Sequence, residues 1–385
     1  MASSKCILAM VLSAVLFQFE PTTGFYCPGS NPASLRQEAK DKNCKFVVVG
    51  RLENAINDPD SPSTDLVIDR ILKNDPYLNG TKAIRIPKNI PKEDGKLPPC
   101  YLLFGDFDRG KIHPYRGKPV SAAFLRYFNG VLDVDDKDTS KLLNYIIDQW
   151  DEKDKCIIDE ILIELAHIDW NSLQRTASSI PSEKLRKRLS DQDAAIDTRL
   201  VTAAVLLGYQ GQKNDLPLFR SQIARSSKNT DAIKAILFGA ILVSPQEGWV
   251  DLKKMIGNTE LPFYSQFACL RVLELIHQQR IAQIPEGDWL EAVARIVNDK
   301  DMSDLAIETL RKIKCWKLTD QVVALERRSE FVSPMIRRSM LRYCMQCPDA
   351  SGKVYVEEMR KAKPDVVEDV EESLKYEAIE AGGKR

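Results

Sequence analysis

One spacing in the chain could do chemistry: Cys344 and Cys347 in "RSMLRYCMQCPD" (338–349), a Cys-x-x-Cys pair directly ahead of Pro348. Such a pair works as a dithiol redox centre when it opens a helix after a strand, where the helix N-terminus lowers a thiol pKa. It holds zinc when a second pair or two histidines complete four ligands. Here the pair closes a helical pattern, no other Cys-x-x-Cys occurs, and no histidine is close in sequence. Pro348 stands where a haem attachment motif needs His. Counted from Ile336, the residues Met340, Tyr343, Cys344 and Cys347 fall at i+4, i+7, i+8 and i+11, one apolar stripe of a helix. A free cysteine behaves as a small hydrophobe, so both thiols are expected in a core. A thiol-dependent redox accessory protein or enzyme using Cys344 and Cys347 is the alternative.

The other reactive residues are sparse. His113, His167 and His277 are the only histidines. His113 adjoins Pro114 in a segment that reads as a turn, and the other two close helical patterns, where a histidine satisfies late carbonyls. No Gly-x-Ser-x-Gly elbow, phosphate-cradling glycine loop or His-Glu-x-x-His is present. No catalytic, cofactor-binding or metal-ligating residue is therefore assigned, and no cofactor is expected. Asp133, Asp135 and Asp138 fail as a calcium loop, since Asp138 occupies the position that needs Gly and Asn144 the one that needs Glu. They read instead as a solvated linker whose end caps the next helix. Arg327, Arg328, Arg337, Arg338 and Arg342 lie on adjacent helical segments and form the candidate partner-binding patch, to be weighed against an ordinary solvated rim.

Elements must exist to position these groups, and composition bounds them. A chain of 385 residues with 44% hydrophobic and 29% charged residues can bury a substantial core and is expected to divide into two domains. Fifty-five basic residues balance fifty-five acidic ones, which removes the field a nucleic-acid binder displays. The first residues, "MASSKCILAMVLSAVLFQFEPTTGFYC", combine Lys5, an apolar run and the small residues Thr22 and Gly24. That is the layout of a secretory signal, expected over 1–24, and its apolar run is short for a membrane span. The expected location is secreted or periplasmic, without stable membrane insertion. Export permits disulfides, and Cys27, Cys44 and Cys100 could supply one bridge, its pairing open.

Two textures follow. Over 25–120 the runs "CKFVVVGRLE", "TDLVIDRILK", "TKAIRIP" and "YLLFGDF" alternate with Asn/Asp/Pro/Gly turns, after a short helix "NPASLRQEAKD". These are short antiparallel strands of a small barrel or sandwich. The lone Asn-Gly-Thr at 79–81 fits a turn and also an N-glycan acceptor. Over 121–139 a helix, "SAAFLRYFNGVL", leads into the acidic linker. From 140 to 377 helical patterns come in pairs. The first members start at 198, 231, 264, 302 and 334, each followed by a second such as "DLPLFRSQIAR" or "KVYVEEMRKAK". Helix pairs at a period in the thirties read as a stacked array, and 378–385 as a disordered tail.

Two resemblances accompany these patterns. The Cys near the expected mature terminus, "FVVVGRLE", "TDLVIDRILK" before Asn-Gly, and "PPCYLLFGDF" resemble the TIMP/netrin-like OB-fold modules of secreted proteins. The Cys-Pro start departs from the Cys-x-Cys of those relatives, so protease inhibition is not implied. The helix pairs resemble HEAT/armadillo-type α-solenoid repeats. Together these imply an α+β chain, an OB-like antiparallel β-barrel followed by a HEAT-like solenoid. The implied role is a non-enzymatic scaffold for a protein partner.

Overall fold

The computed structural model describes residues 32–91, 100–258, 260–331 and 333–382; the expected signal segment and Cys27 lie outside them. The chain is α+β. A short helix, α1 (Leu35–Lys40), precedes the strands β1 (Phe46–Ile56), β2 (Ser63–Lys73), β3 (Ala83–Ile86), β4 (Tyr101–Asp108) and β5 (Lys111–Pro119). They form one antiparallel sheet in the order β3-β2-β1-β4-β5.

The sheet is open, which corrects the expected barrel: β3 and β5 are its edges and do not hydrogen-bond to each other. Closure needs strands whose length and stagger match around the ring. The four residues of β3 pair only with Thr64–Val67 of β2. The fifth strand also departs from expectation, since "KIHPYRG" read as a turn and instead belongs to β5. Proline is tolerated there because β5 is an edge whose outer N–H groups need no partner. Pro114 and the basic side chains also discourage another chain from adding to that edge.

Alternation gives the sheet two apolar faces. Val47, Val49, Leu102 and Phe104 face Leu35 of α1 and the helix that follows the sheet, while Phe46, Val48, Leu66, Ile84 and Leu103 make a separate cluster on the other side.

Among the described residues sixteen α-helices follow the sheet. They are α2 (Ala122–Leu132), α3 (Thr139–Gln149), α4 (Lys155–Ala166), α5 (Trp170–Thr176), α6 (Ser182–Ser190), α7 (Thr198–Gln210), α8 (Leu216–Arg225) and α9 (Thr230–Val243). Then come α10 (Pro245–Ile256), α11 (Phe263–Gln279), α12 (Glu286–Val297), α13 (Ser303–Lys312), α14 (Thr319–Ala324), α15 (Pro334–Gln346), α16 (Ala350–Ala362) and α17 (Pro364–Gly382). None is long and apolar enough to cross a membrane.

Their starts follow local rules. Side chains of Asp138, Asp154, Asp169, Asp197, Asn229 and Ser333 each accept the N–H two or three residues on, satisfying a donor that the first turn leaves free. The acidic linker thus ends as expected, with Asp138 capping α3.

Alternate helices pack side by side: α7 with α9, α9 with α11, α13 with α15, and α15 with α17. Their partners do likewise, α6 with α8, α10 with α12, and α14 with α16. The α7 and α9 sequences, "TRLVTAAVLLGYQ" and "TDAIKAILFGAILV", are apolar nearly all round, as helices enclosed by neighbours must be. They approach backbone to backbone, since a Cβ placed on Gly208 would sit 2.7 Å from the Cα of Gly239.

Two features span the expected boundaries. Phe124 and Phe128 of α2 belong to one apolar cluster with both the sheet and α7, so the core runs unbroken past residue 120. At the other end α17 continues to Gly382, through the start of the expected disordered tail. It buries Val367 and Val370 and turns Glu368, Asp369 and Glu372 to water.

Candidate functional site

The five arginines fall around α14, α15 and α17, and the helix pairing explains what most of them do. Arg337 is 8% exposed, so it is not the surface residue expected. Its Nε and Nη2 donate to Glu326 at 3.2 and 2.8 Å, and the Tyr355 hydroxyl donates to the same carboxylate at 3.1 Å. The hydrogen bond to Glu326 raises the Arg337 pKa still further.

Arg342 lies 2.8 Å from Glu308 on α13, donates to Ser373 at 2.7 Å, and pairs with Glu377 on α17. Arg311 on α13, 4% exposed, completes this network through Glu308 at 2.8 Å, Gln346 at 3.1 Å and Glu377 at 2.9 Å. Burial opposes the charge on Glu377, but Arg311 and Arg342 outweigh it and hold its pKa below the usual carboxylate value. Arg338 pairs with Asp369. Arg328 reaches Glu330 at 2.9 Å and Asn298 at 2.7 Å, over the Phe331 ring at 4.4 Å. Arg327 alone of the five is exposed and without an ion-pair partner among the described residues. The arginines therefore fasten layers of this chain to one another more than they face outward.

Cys344 and Cys347 are 1% and 4% exposed, in the core shared by α13, α15 and α16. Burial pushes the Cys344 thiol up to about 12. Cys347 ends α15, with its sulfur 3.2 Å from the Thr319 hydroxyl and accepting the Asp349 N–H at 3.4 Å. Thiols enclosed in this way are poor nucleophiles, because attack requires an accessible thiolate. Cys44 and Cys100 both carry free thiols. Cys44 is buried against α1, donates to the Phe46 carbonyl at 3.5 Å, and has its pKa raised by that burial.

The histidines lie apart. His113 meets Asp106 at 2.7 Å on the exposed β4–β5 hairpin. His167 bonds the Ile163 carbonyl at 2.8 Å, a late carbonyl of α4 as expected, and the His277 ring rests 5.0 Å from Trp289. Among the described residues no group of three His, Cys, Asp or Glu is placed to hold a metal ion.

Two features escaped sequence reasoning. Glu160 and Glu164 on α4 are 4% and 2% exposed and receive α1. The Leu35 N–H donates to Glu160 at 2.7 Å, the Ser34 hydroxyl bonds Glu164, and Arg36 donates to Asp136 at 2.6 Å and to the Val131 carbonyl at 3.2 Å. Burial, opposed in part by the Leu35 N–H, raises Glu160 to about 7. Arg36, Lys40, Asp136, Glu164 and His167 line an open cleft of about 370 Å³. Arg36 pairs there with Asp136 and Glu164, and Lys40 with Asp136, contacts that secure α1. The signal was present: Glu160 and Glu164 fall beside Ile157, Ile161 and Leu165 on the apolar stripe of α4.

The second feature is apolar surface where alternate helices begin. Phe263 is 50% exposed and stacks on Phe267 at 5.9 Å at the start of α11, and Met335 is 69% exposed at the start of α15. No family model matches the chain, and no curated protein is similar to it.

Proposed function

We propose that the chain is a non-enzymatic scaffold that binds a protein partner outside the cytoplasm, with an OB-like sheet module and a HEAT-like solenoid of stacked helix pairs. The observation that carries this reading is a recurrent sequence distance in the polar bonds between helices. Gln222 bonds the Leu189 carbonyl 33 positions away, Asn229 the Ile196 carbonyl at 33, Arg220 meets Asp251 at 31, and Ser265 bonds the Ser227 carbonyl at 38. Farther along, Arg311 bonds Gln346 at 35 and Arg342 bonds Ser373 at 31. Bonds that repeat at one helix-pair length are what nearest-neighbour stacking requires. An array of this kind offers a long surface and no enclosed reaction site, which favours binding over catalysis.

The signal-like first 24 residues support export, and the balanced charge disfavours a nucleic-acid partner. Phe263 and Met335 are two of the exposed apolar groups that a protein partner would cover. Immobilised chain should retain a partner from an extracellular or periplasmic extract, and a Phe263→Ser/Met335→Ser variant with unchanged melting temperature should not. An identical set of retained proteins for both would defeat this surface. The redox alternative has no supporting observation, because both thiols of its pair are buried.

A further inference from the structure

The scaffold reading leaves one surface feature of the sheet without a task. The rings of Phe46 and Phe107 lie 5.6 Å apart, and Phe107 lies 5.2 Å from Tyr77. Phe46 is fully buried, whereas Tyr77 is 70% exposed. This row of rings starts in the core and ends in water, so Tyr77 is braced from behind and presents an open aromatic face.

A single exposed ring is ordinary. Its place in the chain is not, because Tyr77 stands two residues before Asn79 in Tyr77-Leu78-Asn79-Gly80-Thr81, the one Asn-x-Ser/Thr of the sequence. The Thr81 N–H donates to the Leu78 carbonyl at 2.9 Å, Asn79 has φ −55° and ψ 122°, and Gly80 has φ +80°. These values define a type II turn, with glycine where a positive φ is required.

Asn79 is exposed at the tip, and a Cβ added at Gly80 would meet nothing within 4 Å. Neither the Asn79 carboxamide nor the Thr81 hydroxyl bonds another group among the described residues, so both are free for a modifying enzyme.

We propose that Asn79 carries an N-linked glycan whose innermost sugar lies on the open face of Tyr77. In the transfer, Asn79 Nδ2 attacks C1 of a lipid-linked oligosaccharide. The N–C1 bond forms, the bond from C1 to the lipid pyrophosphate oxygen breaks, and Nδ2 gives up a proton. The inference rests on the export half of the proposed function, because acceptor asparagines of this motif are those of secreted proteins. A pyranose ring has one face of C–H groups. Laid on Tyr77, that face removes apolar surface from water while the hydroxyls stay hydrated. Phe107, half-buried and backed by the buried Phe46, keeps the tyrosine from collapsing inward, which is how a row of rings ending at the surface serves a sugar better than an isolated side chain would.

The test fuses the full chain behind an unrelated secretory leader in a eukaryotic host, so that export by the chain's own first residues is not what is measured. Both the secreted and the lumenal pools are read. Wild type should carry one glycan, removed by peptide-N-glycosidase to leave Asp at position 79, and Asn79→Gln should carry none. Deglycosylation should lower the melting temperature of wild type and leave that of Tyr77→Ala unmoved. A chain found in the secretory lumen with Asn79 unmodified would overturn the proposal. A glycan at Asn79 whose removal shifts both proteins equally would overturn the stacking on Tyr77. Whether the first 24 residues direct export is a separate reading, taken by fusing them to a reporter.

Discussion

Adding a single methyl group to the chain should have opposite effects at two helical glycines. At Gly208 on α7 the new Cβ would lie 2.7 Å from the Cα of Gly239 on α9 and 3.2 Å from Leu242 Cδ1. Carbon atoms settle at about 3.5–4.0 Å, so the two helices must separate by roughly 1 Å along a face buried on both sides. Overpacking of this kind costs about 1–3 kcal/mol, against about 1 kcal/mol gained from replacing glycine by alanine in a helix. Gly208→Ala should therefore lower stability by up to about 2 kcal/mol in net. At Gly287, in the first turn of α12, the Cβ would meet nothing within 4 Å. Gly287→Ala should raise stability by about 0.5 kcal/mol through the reduced freedom of the unfolded chain. Urea unfolding followed by far-ultraviolet circular dichroism reads both as shifts of the midpoint at constant slope. A Gly208→Ala protein stabilised by the full gain of about 1 kcal/mol expected at an unobstructed helical site would refute backbone contact between α7 and α9.

Three further expectations follow from the buried polar groups. Glu160 is held at about 7 against an ordinary 4.5, so its contribution to stability is full below pH 4.5 and is lost as pH rises through 7. That is worth about 3 kcal/mol. Wild type should melt lower at pH 8 than at pH 5.5, and Glu160→Gln, which keeps an acceptor for the Leu35 N–H, should flatten that slope; equal slopes would contradict the burial. Arg337→Ala should cost about 1.5–3 kcal/mol, because it strips a half-buried carboxylate of its charged partner, whereas Arg327→Ala should leave the melting temperature unmoved. Cys344 and Cys347 should stay unreacted with a thiol reagent at pH 8 in the native protein and react once it is unfolded; two fast native thiols would revive the redox reading.

The helical half was legible because its signals are local. Apolar spacing near 3.6 and capping residues such as Asp138 and Asn229 lie within a few positions of the turns they determine. The sheet was legible as strands but not as a shape, since closure depends on how β3 and β5 would meet, which no short stretch encodes. β5 was hidden by Pro114 and its basic neighbours, features that serve an edge strand as well as a turn. The arginines illustrate the same limit. Arg337 takes Glu326 from 11 positions away and Arg342 takes Glu377 from 35, so their sequence neighbourhood suggested a patch while the fold used them internally. Glu160 and Glu164 were readable in principle, because two acids on an apolar stripe must find donors when that stripe is buried.

Shortening the chain from its C-terminal side tests the stacked array most directly. Proteins ending at Lys363, which lacks α17, and at Phe331, which lacks α15 to α17, should lose helical ellipticity in proportion to the residues removed. If the helices form the proposed array, the remaining layers should still melt cooperatively, at lower temperature, because each pair then rests mainly on its neighbours. A protein ending at Phe331 with the spectrum of an unfolded chain would contradict the account, since only a single closed bundle loses everything when one end is taken away.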